Sequence, residues 1–79
     1  MKPKSLAAVG EGCPDFIVGF RGVNVLLEVK DGDKPPSARK LTAEELDWHR
    51  TWPGQVCIVH TQEEAVAAVA YEAKRLGRI

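Results

Sequence analysis

The stretch Gly12–Gly32, GCPDFIVGFRGVNVLLEVKDG, decides the fold. It holds two runs suited to β-strands, separated by Arg21-Gly22. Phe16–Phe20 is short, β-branched and aromatic. Val23–Lys30 alternates, with Val23, Val25, Leu27 and Val29 on one side and Asn24, Leu26, Glu28 and Lys30 on the other, because successive strand side chains face opposite ways. Arg21-Gly22 makes a tight turn, so the two runs predict a hairpin. Charge is what makes this hairpin unusual. Asp15 heads the first run and Glu28 lies deep in the second, although unpaired buried charge costs far more than a lost contact.

Working outward, Ser5 to Val9 predicts a short first strand before the Gly10-Glu11-Gly12 break. The segment DGDKPPSARK after the hairpin reads as a loop, since its prolines, glycine and small polar residues leave no ladder to build. Thr42 with Glu45 fits a capping box, bracketed by Leu41 and Leu46 as a hydrophobic staple. The helix they start should run to about Trp52, where Pro53-Gly54 stops it. Gln55 to His60 reads as a compact apolar strand. Thr61 with Glu64 repeats the capping-box pattern, and Val66, Val69, Ala70, Ala73 and Leu76 mark one helical face up to Gly77. The order is β-β-β-α-β-α, which predicts an α/β fold: a small mixed β-sheet flanked by helices, in a single domain over residues 1–79.

With 79 residues, only about 60% of the unfolded chain's surface is buried on folding. Such domains commonly draw on a disulfide, a metal or a partner chain. Cys13 and Cys57 form neither a CxxC pair nor a disulfide framework, and MKPKSLAAVG does not read as a signal peptide. No run is apolar enough for a membrane span. These features lead us to expect a cytoplasmic location, free thiols and a homodimer. Eleven basic and eleven acidic residues give zero formal charge, so composition alone does not advertise a nucleic-acid partner. Locally, Arg21, Lys34, Arg39 and Lys40 gather around the hairpin and its following loop.

Hairpin pairing should bring Asp15 and Glu28 together at one end of the sheet. Two adjacent carboxylates raise each other's pKa unless a cation intervenes. A hard divalent ion such as Mg²⁺ suits oxygen donors, and the Val29 carbonyl offers a third. Lys30, on the Glu28 face, is placed to orient a water or offset charge on a phosphate. Acid, acid and lysine in this arrangement suit phosphodiester cleavage. The same charges also fit a plain strand-edge aspartate and a solvent-facing Glu28–Lys30 pair. Glu45 has a purely structural role open to it as the capping-box glutamate, a role compatible with catalysis.

Gly12-Cys13-Pro14-Asp15, followed thirteen positions on by Glu28-Val29-Lys30, resembles the PD-(D/E)XK nuclease signature. More narrowly, G-x-PD, LLEVKDG, PPSARKLT and W-x-G-x-V resemble the VRR-NUC branch of that superfamily, over roughly residues 5 to 70. The resemblance implies a restriction-endonuclease-like core and a Mg²⁺-dependent DNA endonuclease. Asp15, Glu28 and the Val29 carbonyl would hold Mg²⁺ or Mn²⁺, Lys30 would be the catalytic lysine, and Glu45 would stand at a further catalytic position. It implies a branched or flapped DNA substrate, as for Holliday-junction resolvases of phages and bacteria, and a homodimer with two active sites. In that setting Arg21, Lys34, Ser37, Arg39 and Lys40 would contact DNA.

The chain departs from the family pattern twice. Glu45 stands where the family usually has glutamine. The fourteen residues before Asp15 are also too few for both a strand and the family's N-terminal acidic helix, so most of that helix is expected to be missing. A nucleic-acid-binding or assembly module on a nuclease fold, with weak or no catalysis, is the alternative. Trp48 and Trp52, spaced i,i+4, are expected in core or dimer contacts, His49 at a surface or interface, and His60 in a structural role.

Overall fold

The computed structural model describes every residue from Met1 to Ile79. Strands β1 (Lys2–Ser5), β2 (Phe16–Phe20) and β3 (Val23–Val29) precede a single 3₁₀ turn (Pro36–Arg39). Helix α1 (Ala43–Thr51), strand β4 (Gln55–Val59) and helix α2 (Gln62–Arg75) follow. The sheet order is β1-β2-β3-β4. The first two pairings are antiparallel and β3–β4 is parallel, giving a small mixed sheet with two helices.

The hairpin forms as the alternation requires. Phe16 lies opposite Leu27 and Phe20 opposite Val23. Arg21 and Gly22 have φ of 51° and 79°, the double left-handed turn that matches strand twist in a two-residue hairpin. Val23, Val25 and Leu27 join Val18, Val59, Val69 and Ala73 in the main core, between the sheet and α2. Leu26 and Glu28 are also buried but lie on the opposite face, where His49 of α1 approaches Glu28. The chain therefore stacks as α1, sheet and α2, with the charged face of β3 between sheet and α1.

Thr42 and Glu45 form the full capping box: Glu45 N–H donates to Thr42 Oγ1 at 3.2 Å, and Thr42 N–H donates to Glu45 Oε1 at 2.8 Å. Leu46 is exposed, so the expected staple shelters little apolar surface.

Three sequence expectations need correction. The first strand is Lys2–Ser5, not Ser5–Val9. It is an edge strand held by backbone pairing to β2, with every side chain exposed, whereas Leu6–Val9 closes a turn through Val9 N–H donating to the Leu6 carbonyl. The second capping box is only half made. Thr61 Oγ1 accepts from Glu64 N–H, but the Glu64 carboxylate turns back to His60, accepting from its backbone N–H at 3.2 Å and meeting its Nδ1 at 3.0 Å. The buried face of α2 is also rotated: Ala65, Ala68, Val69 and Ala73 pack on the sheet while Val66 and Leu76 remain exposed. The apolar side of α2 is wider than the sheet it covers.

Candidate active site

Asp15 sits one residue before β2, directly across from Glu28 in the hairpin register. Its carbonyl accepts from Leu6 N–H at 2.8 Å, and its Oδ2 accepts from Val29 N–H at 2.7 Å. Backbone groups alternate along a strand. Lys30 N–H turns to β4, donating to the Val59 carbonyl, so the Val29 backbone faces the Asp15 side. Asp15, Glu28 and the Val29 backbone are thus gathered at the head of the hairpin, as the sequence predicts.

Helix α1 roofs this corner because Gly12 lets it approach. Gly12 has φ of +80°, and a Cβ built on it would stand 2.6 Å from the Glu44 carbonyl oxygen. Over the site, α1 matches the strand beneath it. Four helix residues rise about 6 Å and two strand residues about 6.6 Å, so Glu45 and His49 fall over Lys30 and Glu28. Lys30 Nζ donates to Glu45 Oε1 at 2.8 Å, with the two side chains only 15% and 17% exposed. The same Glu45 oxygen accepts the capping bond from Thr42. Glu45 therefore caps α1 and anchors Lys30 together.

His49 is the residue that sequence reasoning missed. It is not at the surface: its side chain is 12% exposed and its Nε2 lies 3.8 Å from Glu28 Oε1. Both atoms are buried without a hydrogen-bond partner. The available signal was its i,i+4 spacing from Glu45, which puts both on one helical face.

Glu28 is 2% exposed. Burial first, then the adjacent Asp15 carboxylate and the Glu45 charge, push its pKa up to about 8, against a smaller opposing pull from Lys30. The hydrogen bond to Glu45 raises the Lys30 pKa, so Lys30 is a persistent cation. Burial alone would raise Glu45, but bonds from Lys30 and Thr42 outweigh it and hold it below the usual carboxylate range. Burial lowers the His49 pKa and favours neutral imidazole.

The donor chemistry fits a divalent ion. Glu28 carries a buried oxygen with no partner, and its neighbours offer carboxylate and carbonyl oxygen. No group of three His, Cys, Asp or Glu side chains is arranged to hold a metal ion, so any ion held here would rest on fewer side chains, with backbone carbonyl and water as its other donors.

The proposed DNA contacts divide. Lys34, Ser37 and Lys40 are exposed in the segment following β3. Arg39 is half-buried, with an unpartnered Nε. Arg21 lies at the far end of the hairpin over the Phe20 ring, 5.5 Å from its centroid, so the fold does not bring it to the Asp15–Lys30 end. Trp48 and Trp52 stack at 5.5 Å. Trp52 is partly exposed, so the pair is not a buried core contact.

An apolar groove of about 380 Å³ lies on the α2 side of the sheet, away from these charges. Met1, Phe16, Val29 and Val66 line it, and it offers apolar contact rather than chemistry. No family model, curated protein or solved structure matches this chain. No helix is long and apolar enough to cross a membrane.

Proposed function

We propose that this chain is a Mg²⁺- or Mn²⁺-dependent DNA endonuclease of the VRR-NUC type, acting on branched or flapped DNA. The supporting observation is the convergence of Asp15 with a buried, partly unpartnered Glu28 on the face that also carries Lys30. Asp15, Glu28 and the Val29 carbonyl would hold the ion. Once bound, such an ion acidifies a water and offsets charge on a phosphoryl oxygen. Lys30, persistently protonated, acts as a cation toward the phosphate rather than as a general base. Glu45 sets its position. Lys34, Ser37 and Lys40, exposed in the segment that follows β3, would contact phosphates, making binding salt-sensitive.

The chain would work as a homodimer on a two-fold-symmetric junction. Only 11 of 79 residues are buried, and exposed Met1, Phe16 and Val66 border the apolar groove beside α2. Sedimentation at tens of micromolar should give twice the chain mass; a monomer there contradicts the dimer.

The activity is tested with a labelled four-way junction and a linear duplex, each with Mg²⁺ or with chelator. Wild-type protein should cut the junction only with Mg²⁺, and Lys30→Ala should be slower by about 10²–10³-fold. Salt-sensitive DNA binding without cleavage, and without binding of Mg²⁺ or Mn²⁺, would instead support the binding-module reading.

A further inference from the structure

Glu28 Oε1 and His49 Nε2 present an unusual pair: two buried atoms without partners, facing each other at 3.8 Å. That separation is too long for a hydrogen bond between them. It also leaves each with an unmet desolvation cost, which native structures rarely tolerate without a ligand or water. The spacing has a direct chemical meaning. With ligand bonds of roughly 2.1 Å, two donors on one tetrahedral ion stand about 3.4 Å apart. The observed 3.8 Å is a few tenths of an ångström wider, a gap that a small side-chain rotation closes when an ion binds.

We infer that His49 is a metal ligand, and that with Glu28 it makes the site prefer a nitrogen-accepting first-row transition ion over Mg²⁺. This rests on the proposed metal site and names the ion class that site selects. Neutral imidazole is a good ligand for such ions and a poor one for Mg²⁺, which keeps to oxygen and water. Two features of the fold hold His49 in place. The capping box fixes the start of α1, and the Lys30–Glu45 bond ties the same helical face to β3 one turn earlier. His49 is therefore presented to Glu28 from a pinned helix.

Co²⁺ is a suitable probe, because it accepts nitrogen and is paramagnetic. Calorimetric titration of the intact protein should show Co²⁺ binding at least about tenfold tighter than Mg²⁺. His49→Gln should lose about tenfold or more in Co²⁺ affinity while changing Mg²⁺ affinity by no more than about threefold. Independently of any variant, Co²⁺ should shift or broaden the His49 ring resonances of the wild-type protein, and excess Mg²⁺ should reverse this only at much higher concentration. Equal Co²⁺ affinity in wild type and His49→Gln, with unperturbed His49 resonances, would overturn the inference. If Asp15→Ala still abolished divalent-ion binding in that case, the wider metal-site reading would stand. Absence of all divalent binding by the wild type would overturn both.

Discussion

Glu28→Gln is expected to make the metal-free protein more stable in mild alkali while abolishing its metal binding. The physical cause is the cost of a buried carboxylate. In the folded chain Glu28 has a pKa near 8, raised by burial and then by Asp15, against about 4.3 for an unperturbed glutamate. Between those values the native state holds a proton that the unfolded chain has released. This contribution is fully present below the unfolded pKa and is lost as pH rises through the folded pKa. Over that window stability should fall by up to about 1.4 kcal/mol per pH unit, for a total on the order of a few kcal/mol. Glutamine does not titrate, so the variant should lack this slope and exceed wild type above pH 8. Mg²⁺ should restore wild-type stability at alkaline pH, because it replaces the proton between the acids. Urea denaturation from pH 5 to 9, with Mg²⁺ or chelator, checks this. Parallel curves for wild type and variant would contradict it.

The second large effect is expected at Gly12. Alanine there meets a double penalty: a left-handed φ of +80° and a Cβ within 2.6 Å of the Glu44 carbonyl. The left-handed conformation alone costs about 1 kcal/mol. The clash is with backbone at the start of α1, so relief requires moving the helix. We expect Gly12→Ala to lose on the order of 2–4 kcal/mol and to displace α1 from Lys30 and Glu28. Gly77 provides the control. Its φ of +75° is nearly that of Gly12, but a Cβ there meets nothing within 4 Å, so Gly77→Ala should lose only the conformational part. Equal losses at the two positions, measured by thermal denaturation, would show that the α1 contact is unimportant.

Much of the fold was legible because its signals are local. Alternation in Val23–Val29 and the Arg21-Gly22 turn specify the hairpin and place Glu28 and Lys30 on one face. Thr42 and Glu45 specify the start of α1. The first strand is not legible in sequence because Lys2–Ser5 buries no side chain and is recruited by backbone pairing, which leaves no apolar pattern. The α2 face is ambiguous in sequence because apolar residues occupy more of the helix than the side that packs on the sheet, with Val66 and Leu76 left exposed. Glu64 turned back to His60 rather than to Thr61, a choice between two nearby donors that spacing does not decide.

For the site, the Asp15–Glu28 convergence followed from hairpin register, and the Glu45 cap from its motif. The Lys30–Glu45 bond and the orientation of His49 depend on how α1 docks. That docking turns on Gly12, which reads in sequence as part of a break and of the G-x-PD motif, neither of which shows that a helix packs against it. Arg21 is near the site cations in sequence, but the hairpin carries it to the opposite end.

The most direct test is the cleavage rate of a four-way DNA junction in Mg²⁺, by wild type beside Asp15→Ala. The wild type should cut, and Asp15→Ala should be slower by at least about 10³-fold, the loss of several kcal/mol of metal-dependent stabilisation. Equal cleavage by the two proteins would contradict the account.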